Sequence, residues 1–437
     1  MKGFLFLLPL LAISTAYAEP RIHRVEPLCL EIGKTTEVTV FGDKLAPSKD
    51  KTGGIWTDFG GKWEYVKTDK PQDRERTYRV TLPKETQPGP GAIRAWSDKG
   101  ISLPFLLLKS KVPALSFRLQ GEKPFTHTFP AKKGEKLAIE LWSNRLNQDT
   151  DLVLSIHQPS GKKLAFIDDD EVTGSDPFLR FTSAEDGDYT LTVHDIQWRN
   201  GAQACLSITR AGDSKPPKGR LTSNNPEPIP LDLQAGQYLT LTPETRAIGS
   251  PALLLLELHN PDGQRVAQSG TGDALDEILR RKVQKTGTYQ LKVRDLLRRE
   301  GLPFNVQHST CEAPFTVQLE DRAKDRHLLK PGAELKLKFR ITRYDCKEPI
   351  TIECPELVMS NNTTEPGKNE VEATVRVPED AKAGSLLAFR FRALATINDK
   401  IYATHVQTRG QLKKTPAHLA KWPDGLIGMN YAVITGK

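Results

Sequence analysis

Apolar and polar residues alternate along most of this chain with a period of two. In Tyr189-Thr190-Leu191-Thr192-Val193-His194 the residues Tyr189, Leu191 and Val193 fall on one face, and the polar residues, His194 among them, fall on the solvent face. Tyr289-Gln290-Leu291-Lys292-Val293-Arg294 repeats the pattern. Further alternating runs cover 37–41, 335–341, 371–377 and 386–395, with Gly, Pro, Asn and Asp between them. One short helix is expected over 273–282. With 437 residues, enough for three or four cores, the pattern predicts an all-β chain of four tandem antiparallel β-sandwiches.

Two segments repeat each other. Ala131, Gly134, Leu137 and Ile139 fall on Leu233, Gly236, Leu239 and Leu241, and His157, Pro159 and Gly161 fall on His259, Pro261 and Gly263, at a constant offset. After a two-residue deletion Asp176, Gly187, Tyr189, Asp195, Arg199 and Gly201 fall on Asp276, Gly287, Tyr289, Asp295, Arg299 and Gly301. A unit of this size is a duplicated domain. Catalytic residues are then expected outside what the copies share, or in one copy alone.

The first 18 residues read as a removable export signal: a basic start at Lys2, an apolar run over 4–13 and the small-x-small motif Ala16-Tyr17-Ala18. No later run is long enough to span a bilayer as a helix. The formal charge of +8 is mild for this length, and the densest basic stretch, Arg280 to Lys282 with Arg298 and Arg299, lacks interleaved aromatics, so nucleic acid is not an expected partner. Five cysteines are too few and too odd in number to build the fold from disulfides. Cys346 and Cys354, eight apart, are the expected pair if any forms, the alternative being that all five are small buried side chains.

Composition places linkers at 109–113, 211–225 and 319–330. The expected units are therefore 19–110, 113–212, 226–320 and 328–410. A basic tail over 411–437 either adds a strand or stays mobile.

The stretch Asp151 to Ile156 with His157-Gln158-Pro159-Ser160-Gly161, the acidic turn Asp168-Asp169-Asp170, and Asp186-Gly187-Asp188-Tyr189-Thr190-Leu191-Thr192-Val193 resembles the bacterial pre-peptidase C-terminal domain family. The resemblance implies small jelly-roll-like sandwiches appended to secreted proteases and to many non-proteolytic exported proteins. The second copy keeps Pro261-Asp262-Gly263 and Thr286-Gly287-Thr288-Tyr289 but has Ser269-Gly270-Thr271-Gly272 where the acidic turn should be. Arg24-Val25-Glu26-Pro27, Val38-Thr39-Val40-Phe41-Gly42 and Gln87-Pro88-Gly89 are similar to a transcription-factor-type immunoglobulin-like module, and 343–357 to another immunoglobulin-like repeat.

The chief candidate chemistry is acidic. Asp149, Asp151, Asp168, Asp169, Asp170 and Asp176 lie at strand ends that a sandwich brings to one edge, and calcium needs about six to eight hard oxygen ligands. The resemblance implies the same ion, since some relatives bind calcium through acidic residues near these positions. The competing reading is a solvated turn whose carboxylates bond the local backbone. Asp195 with Arg199 and Asp295 with Arg299 form a shared D-x-x-x-R-x-G that predicts a loop clamp in both copies. Trp56, Phe59 and Trp63, among glycines, suit either sugar stacking or the core. There is no G-x-S-x-G, H-E-x-x-H, phosphate loop or C-x-x-C-H. The expectation is a non-enzymatic exported protein of the periplasm or cell surface, binding protein or polysaccharide at the envelope. The rival is an accessory or diverged component of a secreted peptidase or hydrolase system.

Overall fold

A computed structural model describes residues 19–45, 53–66, 73–169, 175–210, 227–245, 250, 252–271, 276–310, 313–320, 325–344, 346–408, 425–426 and 428–436. The expected export signal lies outside the described residues. The described chain is all-β, its helical content a single 3₁₀ turn at Asn144–Leu146.

The strands gather around four apolar clusters. In the first, the sheet Arg21–Glu26, Thr35–Asp43, Glu75–Thr81, Lys62–Tyr65 faces the sheet Cys29–Glu31, Phe105–Ser110, Gly89–Ser97, Gly54–Thr57 across Val25, Val38, Val80, Ile93 and Leu107. The second group pairs Ala114–Gln120, Asn200–Arg210, Lys136–Trp142, Phe178–Thr182 with Phe125–Ala131, Gly187–Asp195, Leu152–His157, Lys163–Ile167. The third group repeats the latter sheet as Ile229–Leu233, Gly287–Asp295, Leu254–His259, Arg265–Ser269, opposite Leu279–Lys282, Tyr238–Glu244, Asn305–Ser309. The fourth surrounds Phe315, Phe339, Phe391 and Ala432.

Register follows the sequence repeat pair by pair. Leu152 pairs with Asp195 and Leu254 with Asp295, and each ladder shifts register at the same place, between Ile156 and His157 and between Leu258 and His259. Tyr189, Leu191 and Val193 are fully buried and Tyr289, Leu291 and Val293 nearly so. Each such side chain contributes about 1.5–3 kcal/mol of apolar burial, so slipping either strand by one residue would forfeit three of them. Each tyrosine hydroxyl also donates back to a carbonyl four residues upstream, Tyr189 to Glu185 at 3.2 Å and Tyr289 to Lys285 at 3.0 Å. Gly187 and Gly287 open these strands at positive φ, where a Cβ would strike Pro159 or Pro261.

Several expectations are corrected. The short helix over 273–282 is absent from its described part, where Leu279–Lys282 is a strand paired with Tyr238–Glu244. The run 386–395 is two strands, Leu386–Arg390 and Arg392–Ile397, in different sheets. They meet at the fully buried Phe391, whose carbonyl accepts from Val406 N, so the chain turns a sandwich corner there. Phe315–Leu319 pairs with Glu334–Arg343 of the fourth group, and Arg326–Leu329, inside the expected charged bridge, pairs in parallel with Met429–Ile434. Met429–Ile434 also pairs with Leu386–Arg390, so for this part of the expected tail the added-strand alternative holds, as the central strand of its sheet. Cys29–Glu31 and Phe105–Ser110 are likewise parallel, so the sheets are not wholly antiparallel.

The first and fourth groups touch. Arg94, 1% exposed, donates to Ser102 O at 2.9 Å and to Asp325 Oδ2 at 3.4 Å, and its guanidinium lies 4.5 Å from the Tyr431 ring centroid. Trp56 meets the same ring edge-on at 4.8 Å.

Candidate functional site

Pairing of Leu154 with Ile167 aligns the start of one strand with the end of its neighbour, which brings Asp151 beside Asp168 and Asp169. One carboxylate oxygen from each lies within 4.8 Å of the others. Asp151 Oδ1 and Asp168 Oδ1 are shielded from solvent and have no hydrogen-bond partner. Like charges at this separation repel by on the order of 1 kcal/mol per pair in water and by more when shielded. A shielded carboxylate oxygen without a donor is costly unless a cation or a proton meets it.

The six expected ligands divide. Asp170 lies outside the described residues. Asp149 is exposed and accepts from Arg199 Nη1 at 2.9 Å. Asp176 is fully buried and accepts from the backbone N–H groups of Ser143, Asn144 and Arg145 at 2.8–3.0 Å and from Arg145 Nε at 2.9 Å. These four donors saturate the carboxylate, so Asp176 anchors the 3₁₀ turn rather than facing the cluster. Asp276, its counterpart, accepts from Thr245 N and Thr245 Oγ1. Arg145 carried no sequence signal, yet it also reaches Glu140 at 3.0 Å and lies 3.5 Å from the Trp142 ring centroid.

Asp195 and Arg199 hold the loop behind the cluster. Asp195 accepts from Asp151 N, Gln197 N and Arg199 N, and its carboxylate takes the Arg199 guanidinium at 2.8–3.1 Å. Burial works against the Asp195 charge, but the bonds from Arg199 and the three backbone N–H groups outweigh it and hold the carboxyl below its ordinary range. Ile196 N donates to Asp151 O at 2.8 Å, so the Asp151 backbone is fixed on both sides. Asp295 and Arg299 repeat this in the other copy, with Leu253 N, Leu297 N and Arg299 N as donors, and Asp295 is lowered by the same balance. The clamp forces Trp198 and Arg298 into the left-handed region, at φ 57° and 60°.

What the second copy lacks is the rim. Leu253 occupies the position of Asp151, and Gly270 and Thr271 those of Asp168 and Asp169. Its ordering bonds persist without the three clustered aspartates, Gly270 N donating instead to Glu277 Oε2 at 2.8 Å, so the clamp does not depend on the acidic turn.

The aromatic candidates are mostly packed. Trp56, Phe59 and Trp63 lie partly buried against the first core, Trp63 edge-on to Tyr78 at 5.9 Å. Trp142 packs there too, whereas Trp198 is 43% exposed and stacks flat on His194 at 4.0 Å, so His194 is half-buried rather than free in solvent. Cys346 and Cys354 are free thiols, not a disulfide: each sits in the fourth core, Cys346 donating to Pro314 O and Cys354 to Glu356 Oε2. One open concavity, about 340 Å³, is lined among the described residues by Glu19, Arg21, Asp43, Lys44, Asp73 and Arg74, a rim of mixed charges. Among the described residues no helix is long and apolar enough to cross a membrane.

In sequence, no curated protein matches this chain. Solved structures align at low likeness. A biofilm-associated protein BSP domain shares 9% identity over 85% of this chain and 91% of its own, with a TM-score of 0.20. SGBP-B of the Bacteroides ovatus mixed-linkage glucan utilization locus, in complex with a mixed-linkage heptasaccharide, shares 12% over 66% and 74%, with a TM-score of 0.18. The Yersinia pseudotuberculosis adhesin InvE shares 14% over 45% and 56%, with a TM-score of 0.17. Likeness at this level carries no argument about ligands. The clamped strand pair and the acidic rim fall within one matched segment, for residues 125–195 are similar to the bacterial pre-peptidase C-terminal domain.

Proposed function

We propose that this chain is an exported, non-catalytic binding or scaffolding protein of the bacterial cell surface or periplasm, built from four tandem β-sandwich units. In this reading 125–195 and its register-matched repeat are two copies of the pre-peptidase C-terminal domain, flanked by immunoglobulin-like units. The units present loop ends and sheet faces to a protein or polysaccharide of the envelope. Calcium, held by Asp151, Asp168 and Asp169 with Asp170 as a further expected ligand, stiffens the first copy.

The carrying observation is the pair of shielded, unpartnered oxygens Asp151 Oδ1 and Asp168 Oδ1 inside a three-carboxylate cluster. Three carboxylates suit a hard divalent cation, with water or loop carbonyls completing its shell. The clamp fixes Asp151 in advance, which lowers the ordering cost of binding. In titration calorimetry with calcium chloride the full chain should take up one ion, and Asp168→Asn should abolish uptake. Absence of calcium binding by the wild-type chain would remove the site from the reading.

The match to a domain described by its association with peptidase precursors favours a second reading, in which the chain is an accessory or diverged component of a secreted peptidase or hydrolase system. The purified chain should show no turnover of casein or of mixed polysaccharides. Turnover that a single side-chain substitution abolishes would select the second reading.

A further inference from the structure

The apolar cluster of the first group contains two residues from its neighbour, Leu146 and Cys205. Cys29 belongs to the same cluster, on the strand Cys29–Glu31. The strand Ala114–Gln120 sets the two cysteines against each other. Leu28 N donates to Ser116 Oγ at 2.8 Å, and Cys29 Sγ donates to Ala114 O at 3.1 Å. Ser116 is in turn the cross-strand partner of Cys205. Directly opposed residues of an antiparallel pair project to the same face, so Cys205 points toward the surface on which Leu28 and Cys29 lie. Cys29 and Cys205, free thiols in this structure like Cys346 and Cys354, lie close enough to perturb each other's ionisation, although the residues belong to different sandwiches and lie far apart in sequence.

We propose that Cys29 and Cys205 form a disulfide that locks the N-terminal sandwich to the first repeat. Neither cysteine has a role in the calcium reading. Cys346 and Cys354, the pair that spacing favours, are each bonded to a different oxygen acceptor, and the pair that topology favours crosses between units.

The oxidant is a small-molecule disulfide. The Cys29 thiolate attacks one sulfur of that disulfide and releases a thiolate, leaving a mixed disulfide on Cys29. Cys205 then attacks Cys29 Sγ, its proton passing to the departing sulfur. The protein loses two electrons and two protons, and the donor disulfide becomes two thiols. Before the units close the two thiols are interchangeable, and the same balance holds with Cys205 attacking first. Cys205 is fully buried and Cys29 only 7% exposed, so the reaction belongs to folding, before the two units close on each other. Once formed, the bond closes a loop of roughly 175 residues and restricts the unfolded chain.

The test is oxidative refolding of the full chain. Protein denatured and reduced is refolded with a mixture of reduced and oxidised glutathione, then alkylated in denaturant and mapped by mass spectrometry. Alkylatable thiols should fall from the five of the sequence to three, with one linked peptide pair containing Cys29 and Cys205. The oxidised chain should unfold roughly 5 °C above the reduced one, and Cys205→Ala should remove both the linked peptides and the shift. Five alkylatable thiols after refolding, or a link between any other pair, would overturn the proposal. Because the wild-type peptide map decides the matter, a Cys205→Ala chain that failed to fold would not protect it.

Discussion

At Asp195 and Asp295 the two repeats bury the same carboxylate against the same donors, whereas at the neighbouring loop the first repeat has Asp168 and the second has Gly270. The two loops adjoin, since Asp151 and Leu253 each donate their backbone N–H to the clamp. Residues held in both copies are those the sandwich requires to close its end. Those present in one copy sit on a frame that is complete without them, and are free to serve a ligand.

The largest break in this comparison comes from the shared part. Asp195→Ala leaves three backbone N–H groups without this acceptor and takes the buried carboxylate from Arg199, which keeps its bond to Asp149, and Asp295→Ala removes the same carboxylate from Arg299 and its three backbone donors. Removing one partner of a buried, multiply bonded pair costs about 3–5 kcal/mol. Urea denaturation should show losses of similar size in the two variants. A loss confined to Asp195→Ala would mean that the clamp serves the acidic rim and not the fold.

Next comes an attempt to make the copies alike. Gly270 has φ 104°, and a Cβ built there would lie 2.1 Å from Leu254 O, a contact with backbone that cannot swing aside. Gly270→Asp should therefore destabilise the second repeat by about 1–3 kcal/mol from local strain alone, and by more where the strand must shift. It should also fail to create calcium binding, even with Leu253→Asp alongside. A well-folded double variant that takes up a second calcium in calorimetry would show the two frames to be interchangeable.

Much of this division was legible in the sequence. Alternation at Tyr189 and Tyr289 gave the strand faces, and the constant offset between copies gave the shared register. The shorter offset past the deletion aligns Asp176 with Asp276 in a copy that has lost its acidic turn; expected among the calcium ligands, Asp176 instead has its carboxylate saturated by the 3₁₀ turn. What could not be read depends on contacts remote along the chain. Arg94 with Asp325, the corner at Phe391 and the central placing of Met429–Ile434 arise from tertiary packing that no local pattern encodes. The charged stretch before Lys330 looked like a linker because its charges are many; Asp325 is buried because Arg94 meets it.

A smaller expected effect is the calcium response itself. At a free concentration one hundred times the dissociation constant, binding to the folded state stabilises by about 2.7 kcal/mol. A thermal scan with calcium against chelator should move only the transition that Asp195→Ala also moves. Asp151→Asn should flatten the response, and the transition weakened by Asp295→Ala should stay in place with or without the ion. Equal shifts in both transitions would point to a site shared between the repeats rather than one on the first.

The smallest expected effect is at acid pH, where the copies should behave alike again. Asp195 and Asp295 both have folded-state values below the ordinary carboxylate, with burial opposing the charge and the bonds from Arg199 or Arg299 and the backbone N–H groups prevailing. A carboxyl depressed by folding contributes stability that is full above its unfolded value, about 3.9 for aspartate, and is lost as pH falls through the folded value. Protonation leaves the side chain and its oxygens in place, so the loss is smaller than for Asp→Ala. In chelator, the urea midpoints of the two repeats should fall by similar amounts below about pH 4, and Asp195→Asn should remove that slope from the first repeat alone. If the first repeat kept its acid slope after Asp195→Asn, the proton-linked stability would lie outside the clamp, and the resemblance between the two copies would be one of strand register without a common electrostatic anchor.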